Sequence, residues 1–202
     1  MDSHPCLMDR TSTTVFDPHY FFQAAWLARK LAAVGPARHV DIGSDVRIIN
    51  VLSAFIPVHF LDYRPLKVRL SGLSCEADNL LGLSRGDRSI DSLSCLHVIE
   101  HVGLGRYGDP IDPEGSRKAA AELVRVLAPK GRLYVSVPVG RERVCFNAHR
   151  VFAPDAVPRL FSGLCLDSFS FVDDSGIYHE MASTQDAKGS DYACGMYVFS
   201  KP

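Results

Sequence analysis

The sequence has no run of eighteen apolar residues, the length a helix needs to cross a bilayer, so it predicts no transmembrane span and no membrane partner. Its first fourteen residues carry Asp2, Asp9 and Arg10 and lack the basic start and apolar stretch of an export signal, which predicts a cytoplasmic protein. An excess of charge of either sign is also missing. With 22 Lys and Arg against 23 Asp and Glu, a formal net charge of -1 and a pI near 6.7, the chain has no global attraction to nucleic acid, and none is expected as a partner. The six cysteines (Cys6, Cys75, Cys95, Cys145, Cys165, Cys194) contain no C-x-x-C pair, which excludes a zinc ribbon and a dense disulfide framework. Free thiols are the expectation. Cys75, Cys95, Cys165 and Cys194 lie in apolar runs and are read as small packed hydrophobes, with no catalytic role and no metal assigned.

What is present is enough apolar material for one core: 202 residues, 47% of them hydrophobic. Residues 1–18 read as a flexible polar N-terminus and residues 19–202 as a single domain. Tyr20, Phe21, Ala24, Leu27, Ala28 and Leu31 recur at helical spacing until Gly35-Pro36 stops them. Short apolar runs then alternate with helical stretches: 39–42, 58–61, 73–75, 90–96 and 132–138 as strands, and 46–55, 113–127 and 154–161 as helices. Such alternation predicts right-handed βαβ crossovers, and so an α/β fold with a mostly parallel central sheet covered by helices on both faces. Two late apolar runs, 165–172 and 194–199, predict a C-terminal antiparallel strand pair, with a flexible stretch at 182–191. No internal repeat is visible.

Three strand ends carry candidate chemistry. Val40-Asp41-Ile42-Gly43-Ser44-Asp45 is a strand that ends in a glycine turn before a helix, the arrangement that brings backbone N–H groups close to a ligand. Asp62 ends the next strand 19 residues after Gly43, near the ~20-residue spacing at which a carboxylate accepts ribose hydroxyls. The stretch 75–80, with Glu76 and Ala77, places acceptors at the end of the third strand, where an adenine amino group would lie. Taken singly, each is also consistent with an ordinary turn or a solvated loop acid; together, in this order, they predict one nucleoside site.

On these residues the chain resembles the class I S-adenosylmethionine-dependent methyltransferases. The resemblance is carried by 40–43 (VDIG), Asp62, Glu76-Ala77, 89–102 (SIDSLSCLHVIEHV) and 122–138 (ELVRVLAPKGRLYVSVP). More narrowly, 103–115 (GLGRYGDPIDPEG) and 146–152 (FNAHRVF) are similar to a group of methyltransferase-like proteins, some of them associated with surface-polysaccharide synthesis. The resemblance implies a Rossmann-like fold, S-adenosylmethionine as cofactor, and a cofactor site built from Asp41, Gly43, Ser44, Asp62, Tyr63, Glu76, Ala77 and His97. It departs from the family at the first turn, where members carry two or three glycines and this chain has Ser44-Asp45 after Gly43. That departure predicts weakened cofactor binding: fewer glycines leave less room for the cofactor's methionyl end, and Asp45 would repel its carboxylate while attracting its amino and sulfonium charges.

The acceptor is expected to be a small molecule or glycan. His101 and His149, each just after a strand, are the candidate general bases, because imidazole titrates near neutrality. A loop-capping role is open to either ring. Arg106, Tyr107 and Asp109, in a Gly- and Pro-rich loop, and Asn147 and Arg150 are the candidate acceptor contacts. Arg150 has a second role open to it, pairing with a nearby acid. Two rival readings remain at this level. Residues 97–101 spell H-x-x-E-H, the zinc motif of inverted metallopeptidases, which requires a helix through the motif. Alternatively, the fold is retained without catalysis, as a binding module.

Overall fold

A computed structural model describes Pro5 and residues 8–202. Cys6, and the part of the expected flexible N-terminus formed by residues 1–4 and 7, lie outside the described residues. In chain order the elements are α1 (Pro18–Val34), β1 (His39–Ile42), α2 (Val46–Leu52), β2 (Val58–Asp62), β3 (Leu73–Ala77), β4 (Ile90–Leu96), α3 (Gly115–Val126) and β5 (Leu127–Val139). There follow β6 (Arg143–Cys145), β7 (His149–Val151), α4 (Val157–Leu160), β8 (Cys165–Val172), β9 (Tyr178–Ala182) and β10 (Ala193–Ser200).

Local chemistry sets the first helix. The Asp17 carboxylate accepts the His19 and Tyr20 N–H groups at 2.9 and 3.4 Å, Pro18 supplies a preset φ in the first turn, and Gly35 closes the helix in the left-handed region at φ +62°. Asp17 and Pro18 are thus part of the helix rather than of a flexible leader. Gln23, Trp26, Leu27 and Leu31 form its buried stripe.

Eight strands make one sheet in the order β3-β2-β1-β4-β5-β10-β8-β9. The first five pair in parallel, while β10 runs antiparallel between β5 and β8, as the two late apolar runs predict. Strand β9, added to β8 at the edge, has no counterpart in the sequence reading. Both faces are covered. Trp26, Leu31, Ile49 and Leu52 of α1 and α2 pack with Phe60, Tyr134 and Met196 on one side; Leu123, Val126 and Phe161 of α3 and the α4 segment pack with Leu93, Val135 and Tyr197 on the other. Among the described residues no helix joins β2 to β3 or β3 to β4, so the sheet is less fully wrapped than strict alternation implies. The helices are also shorter than their apolar patterns suggest, with α2 ending at Leu52 and α4 reduced to Val157–Leu160. The stretch 182–191 departs from expectation: Ala187 is fully buried there, and Ser190 accepts the Arg141 N–H at 3.1 Å. No described helix is long and apolar enough to cross a membrane.

From β1 the chain steps outward to β2 and β3, then returns past β1 to β4. The strand order therefore reverses between β1 and β4, and the C-terminal ends of those two strands part to leave a crevice, the position where open parallel sheets bind ligands.

Candidate functional site at the carboxyl ends of the parallel strands

Beneath the β1 turn lies a buried polar chain. Ser44 Oγ donates to Asp41 Oδ2 at 2.7 Å and accepts the Leu96 N–H at 3.0 Å, tying the end of β1 to the end of β4. Ser94 Oγ also meets Asp41 Oδ2, and His39 bridges Ser92 and Ser94 at 2.8 Å on either ring nitrogen. With the Ser94 hydrogen committed to the carboxylate, His39 Nε2 donates to Ser94 and Nδ1 accepts from Ser92. Burial holds His39 neutral, its pKa lowered to about 3, and pushes Asp41 up to about 6 against the hydrogen bonds that favour its ionised form. Asp41 is fully buried, so it acts on the turn and has no exposed surface to offer a ligand.

This network corrects two expectations about Ser44-Asp45. Ser44 turns its hydroxyl inward, to Asp41 and the Leu96 N–H, and is only 3% exposed at the crevice wall. Asp45 caps α2 and pairs with Arg47 through Nε at 3.0 Å, an arrangement that lowers its pKa and offsets the charge expected to repel a cofactor. Gly43 sits at φ +67°, where a Cβ would lie 3.2 Å from Val98 and 3.6 Å from Asp62 Oδ2. Backbone thus fills the position a side chain would block.

Two adjoining cavities open on this turn. The first, about 180 Å³, is walled by Ile42, Gly43, Asp62, Tyr63 and Val98, with Asp78 to Leu81 beyond. The second, about 420 Å³, shares Gly43, His97, His101 and Tyr107 with the first and adds Tyr20, Glu100, Arg106, His149 and Tyr192. Of the residues singled out in the sequence, Gly43, Asp62, Tyr63, His97, His101, Tyr107 and Asp109 meet at the first cavity, and Ser44, Arg106 and His149 at the second.

Five are placed elsewhere, the buried Asp41 among them. Glu76 bonds His59 Nε2 at 3.1 Å and pairs with Arg85, and neither it nor Ala77 lines a cavity; the chain reaches the crevice at Asp78-Asn79-Leu80. Asn147 is exposed and lines neither cavity. Arg150 is buried as a strut. Its Nη1 donates to Val102 O at 2.7 Å and Ser116 Oγ at 3.0 Å, and Nη2 to Pro113 O at 3.3 Å, so both ends of the guanidinium are engaged within the chain. Asp109, although at the cavity wall, spends its carboxylate on the Gly103 and Tyr107 N–H groups at 2.7 and 3.2 Å.

Residues 97–103 form turns and not a helix, so the two histidines of H-x-x-E-H do not share a helix face as the peptidase motif requires. Glu100 is instead fully buried between them, Oε1 lying 3.0 Å from His97 Nδ1 and 3.6 Å from His101 Nε2. His101 Nδ1–H donates to the Ala148 carbonyl at 2.6 Å, which leaves Nε2 as the basic nitrogen. Burial lowers the pKa of His101, against Glu100 and the Ala148 hydrogen bond, and burial with the charge of His101 lowers that of His149, against Glu100. The rings stand 6.4 Å apart. His97 differs: burial opposes its charge, but Cys194 and Glu100 outweigh burial and raise it to about 10. The loop 103–113 folds over the opening, with Tyr107 lying 4.6 Å beneath the Arg64 guanidinium.

Sequence reasoning missed His19, Tyr20, Tyr192 and Cys194 as site residues. They come from α1, from β10 and from the approach to it, too far along the chain for any spacing to signal them.

The residues around the first cavity suit S-adenosylmethionine: a glycine where a Cβ would intrude, a carboxylate beside it, and an apolar wall from Ile42, Val98 and Leu80. Sheet order, crevice and turn define the fold of the class I S-adenosylmethionine-dependent methyltransferases. Solved structures agree. The N-methyltransferase NodS from Bradyrhizobium japonicum WM9, in complex with S-adenosyl-L-homocysteine, is 18% identical with a TM-score of 0.66, covering 92% of this chain and 89% of its own. The [4+2]-cyclase SpnF is 15% identical with a TM-score of 0.66, covering 96% and 86%. A putative sarcosine dimethylglycine methyltransferase from Galdieria sulphuraria is 14% identical with a TM-score of 0.63, covering 90% and 85%. Residues 75–196 match the model of DUF268, "Caenorhabditis protein of unknown function", and the chain belongs to that family. No curated protein sequence matches the chain.

Proposed function

We propose that the protein is an S-adenosylmethionine-dependent methyltransferase acting at oxygen on a small or glycan-type acceptor. The observation that carries this reading is the pair of cavities joined at Gly43, one with the Asp62 carboxylate in its wall and the other with the imidazoles of His101 and His149. The fold alone does not choose the reaction, as the cyclase of the same architecture illustrates.

When bound, S-adenosylmethionine supplies a methyl group activated by its sulfonium, the carbon–sulfur electron pair staying on sulfur. Asp62 accepts the ribose hydroxyls, and the Asp78-Asn79-Leu80 backbone borders the base. A hydroxyl acceptor enters the second cavity and loses its proton to His101 Nε2, the nitrogen its Ala148 bond leaves free, with His149 as the second imidazole within reach. Tyr107, Tyr192 and Arg106 give that cavity aromatic faces and a cation, groups that suit a hydroxylated ring. Closure of the 103–113 loop excludes water.

Calorimetric titration with S-adenosylmethionine and S-adenosylhomocysteine, followed by transfer of labelled methyl to a glycan panel, tests the reading. Binding followed by labelling of a hydroxylated acceptor is expected. No heat and no thermal shift would overturn it, and binding without transfer across the panel would make the protein a binding module.

A further inference from the structure

Three side chains from separate segments converge beside the second cavity: His19 in the first turn of α1 and His97 immediately after β4, both in its wall, and the buried Cys194 of β10 behind them. Each presents one donor atom, and the three donors lie within 4.8 Å of one another. His97 Nε2 and Cys194 Sγ are 3.3 Å apart. Nitrogen and sulfur held at ~2.0 and ~2.3 Å from one tetrahedral ion are separated by roughly 3.5 Å, so this pair needs almost no movement to share a metal.

The surroundings of His97 point the same way. Its other ring nitrogen, Nδ1, faces Glu100 Oε1 at 3.0 Å. A metal-ligating histidine gives its second N–H to a carboxylate, which sets the tautomer and leaves the far nitrogen as a lone pair directed at the ion. Here that far nitrogen is the one beside Cys194. Glu100 is fully buried, and apart from that approach of His97 neither of its oxygens has a hydrogen-bond partner among the described residues, a desolvated carboxylate that a nearby cation would balance. His97 also occupies the left-handed region at φ +54°, unusual for a residue with a side chain.

We propose that His19, His97 and Cys194 bind one zinc(II) ion, with Glu100 as its outer carboxylate. Two imidazoles and a thiolate form a borderline-soft set that suits zinc and disfavours magnesium or calcium. Three protein ligands, two of them lining the second cavity, direct the fourth position of a tetrahedral ion toward that space, the pattern of a catalytic zinc and not of a closed structural one. Binding releases to solvent the protons that Cys194 Sγ and His97 Nε2 carry in the free protein. The ion would hold an acceptor hydroxyl next to His101 and His149 and lower its pKa. That role rests on the methyl-transfer reading; metal binding itself does not.

The test uses the full chain, stripped of metal and titrated with zinc against a chromophoric chelator, then with cobalt(II) as a spectroscopic probe and no methyl donor present. One equivalent of zinc and a thiolate-to-cobalt charge-transfer band with tetrahedral d–d bands are expected. Cys194→Ser should abolish the charge-transfer band, and Cys165→Ser, an exposed cysteine of β8, should leave it intact. His19→Ala, at a helix start where loss of the fold is not expected, should lose the tetrahedral spectrum, and Glu100→Gln should weaken zinc about 10- to 100-fold. Substoichiometric zinc in folded wild-type protein, or a band that survives in Cys194→Ser or a spectrum unchanged in His19→Ala, overturns the proposal. Either result leaves the cofactor titration unaffected, so the two readings fail separately.

Discussion

At the scale of single residues, Asp62 and the pair His39 and Asp41 have different jobs. Asp62 faces the first cavity with its Oδ2 toward Gly43, while Oδ1 is used on the Arg64 N–H at 2.7 Å. A charged group accepting a ligand hydroxyl is worth about 1.5–3 kcal/mol. Asp62→Ala should therefore weaken S-adenosylhomocysteine by about 10- to 100-fold in calorimetry while thermal stability stays near wild type; unchanged affinity would remove Asp62 from the site. His39 and Asp41 titrate in opposite senses. His39 folds with its pKa lowered from 6.5 to about 3, so its stabilising contribution is complete above pH 6.5 and is lost as pH falls toward 3. Asp41 folds with its pKa raised from 3.8 to about 6, so its contribution is complete below 3.8 and is lost as pH rises through 6. Between 3.8 and about 6 the two slopes offset each other. Asp41→Asn removes one of them, and its urea stability should rise more steeply with pH across that window, with a gain on the order of 3 kcal/mol by pH 7. An unchanged slope would show that Asp41 ionises freely.

At the scale of elements, the loop from β4 to α3 depends on a residue of β7. The Arg150 guanidinium binds the carbonyls of Val102 and Pro113 and the Ser116 hydroxyl from one planar fork, and Ser116 in turn donates to Ile99 O at 2.6 Å. Lysine offers a point charge on a flexible stem and cannot span these acceptors. Arg150→Lys should cost on the order of 3 kcal/mol in denaturant unfolding and open the 103–113 loop to proteolysis. Wild-type stability in that variant would return Arg150 to the list of acceptor contacts. Gly103 belongs to the same closure: at φ +80°, a Cβ there would fall 2.1 Å from Asp112 O, so Gly103→Ala should displace the loop and lower activity on the acceptor with cofactor affinity retained.

At the scale of the molecule, the site is an assembly of distant chain segments brought to one edge of one sheet. His101 follows β4 and His149 opens β7, and enclosure lowers the pKa of both below the ordinary 6.5. A base must be neutral to act, so lowering its pKa extends activity to more acidic pH. The acid limb of kcat/KM should fall with a midpoint below 6.5, and His101→Ala should flatten that limb. A limb centred above 6.5 would assign the proton transfer to another group.

Much of this arrangement is written in local pattern. Strand and helix spacing, the Gly43 turn and the carboxylate of Asp62 at the end of β2 are properties of short windows, because backbone propensity and burial period act over a few residues. The direction of each side chain is not. Glu76 alternates away from the crevice along β3, Ser44 turns into the core to reach Leu96, and Arg150 is captured by carbonyls of a loop 37 to 48 residues earlier. Those outcomes depend on which strands become neighbours and on satisfying every buried polar group once they do. The sequence by itself therefore determined the five parallel strands, the late antiparallel pair and the edge at which chemistry belongs. Only the tertiary structure decided which side chains face the cavities, since His19, Glu100 and Cys194 become neighbours through packing across the sheet and through nothing in their spacing.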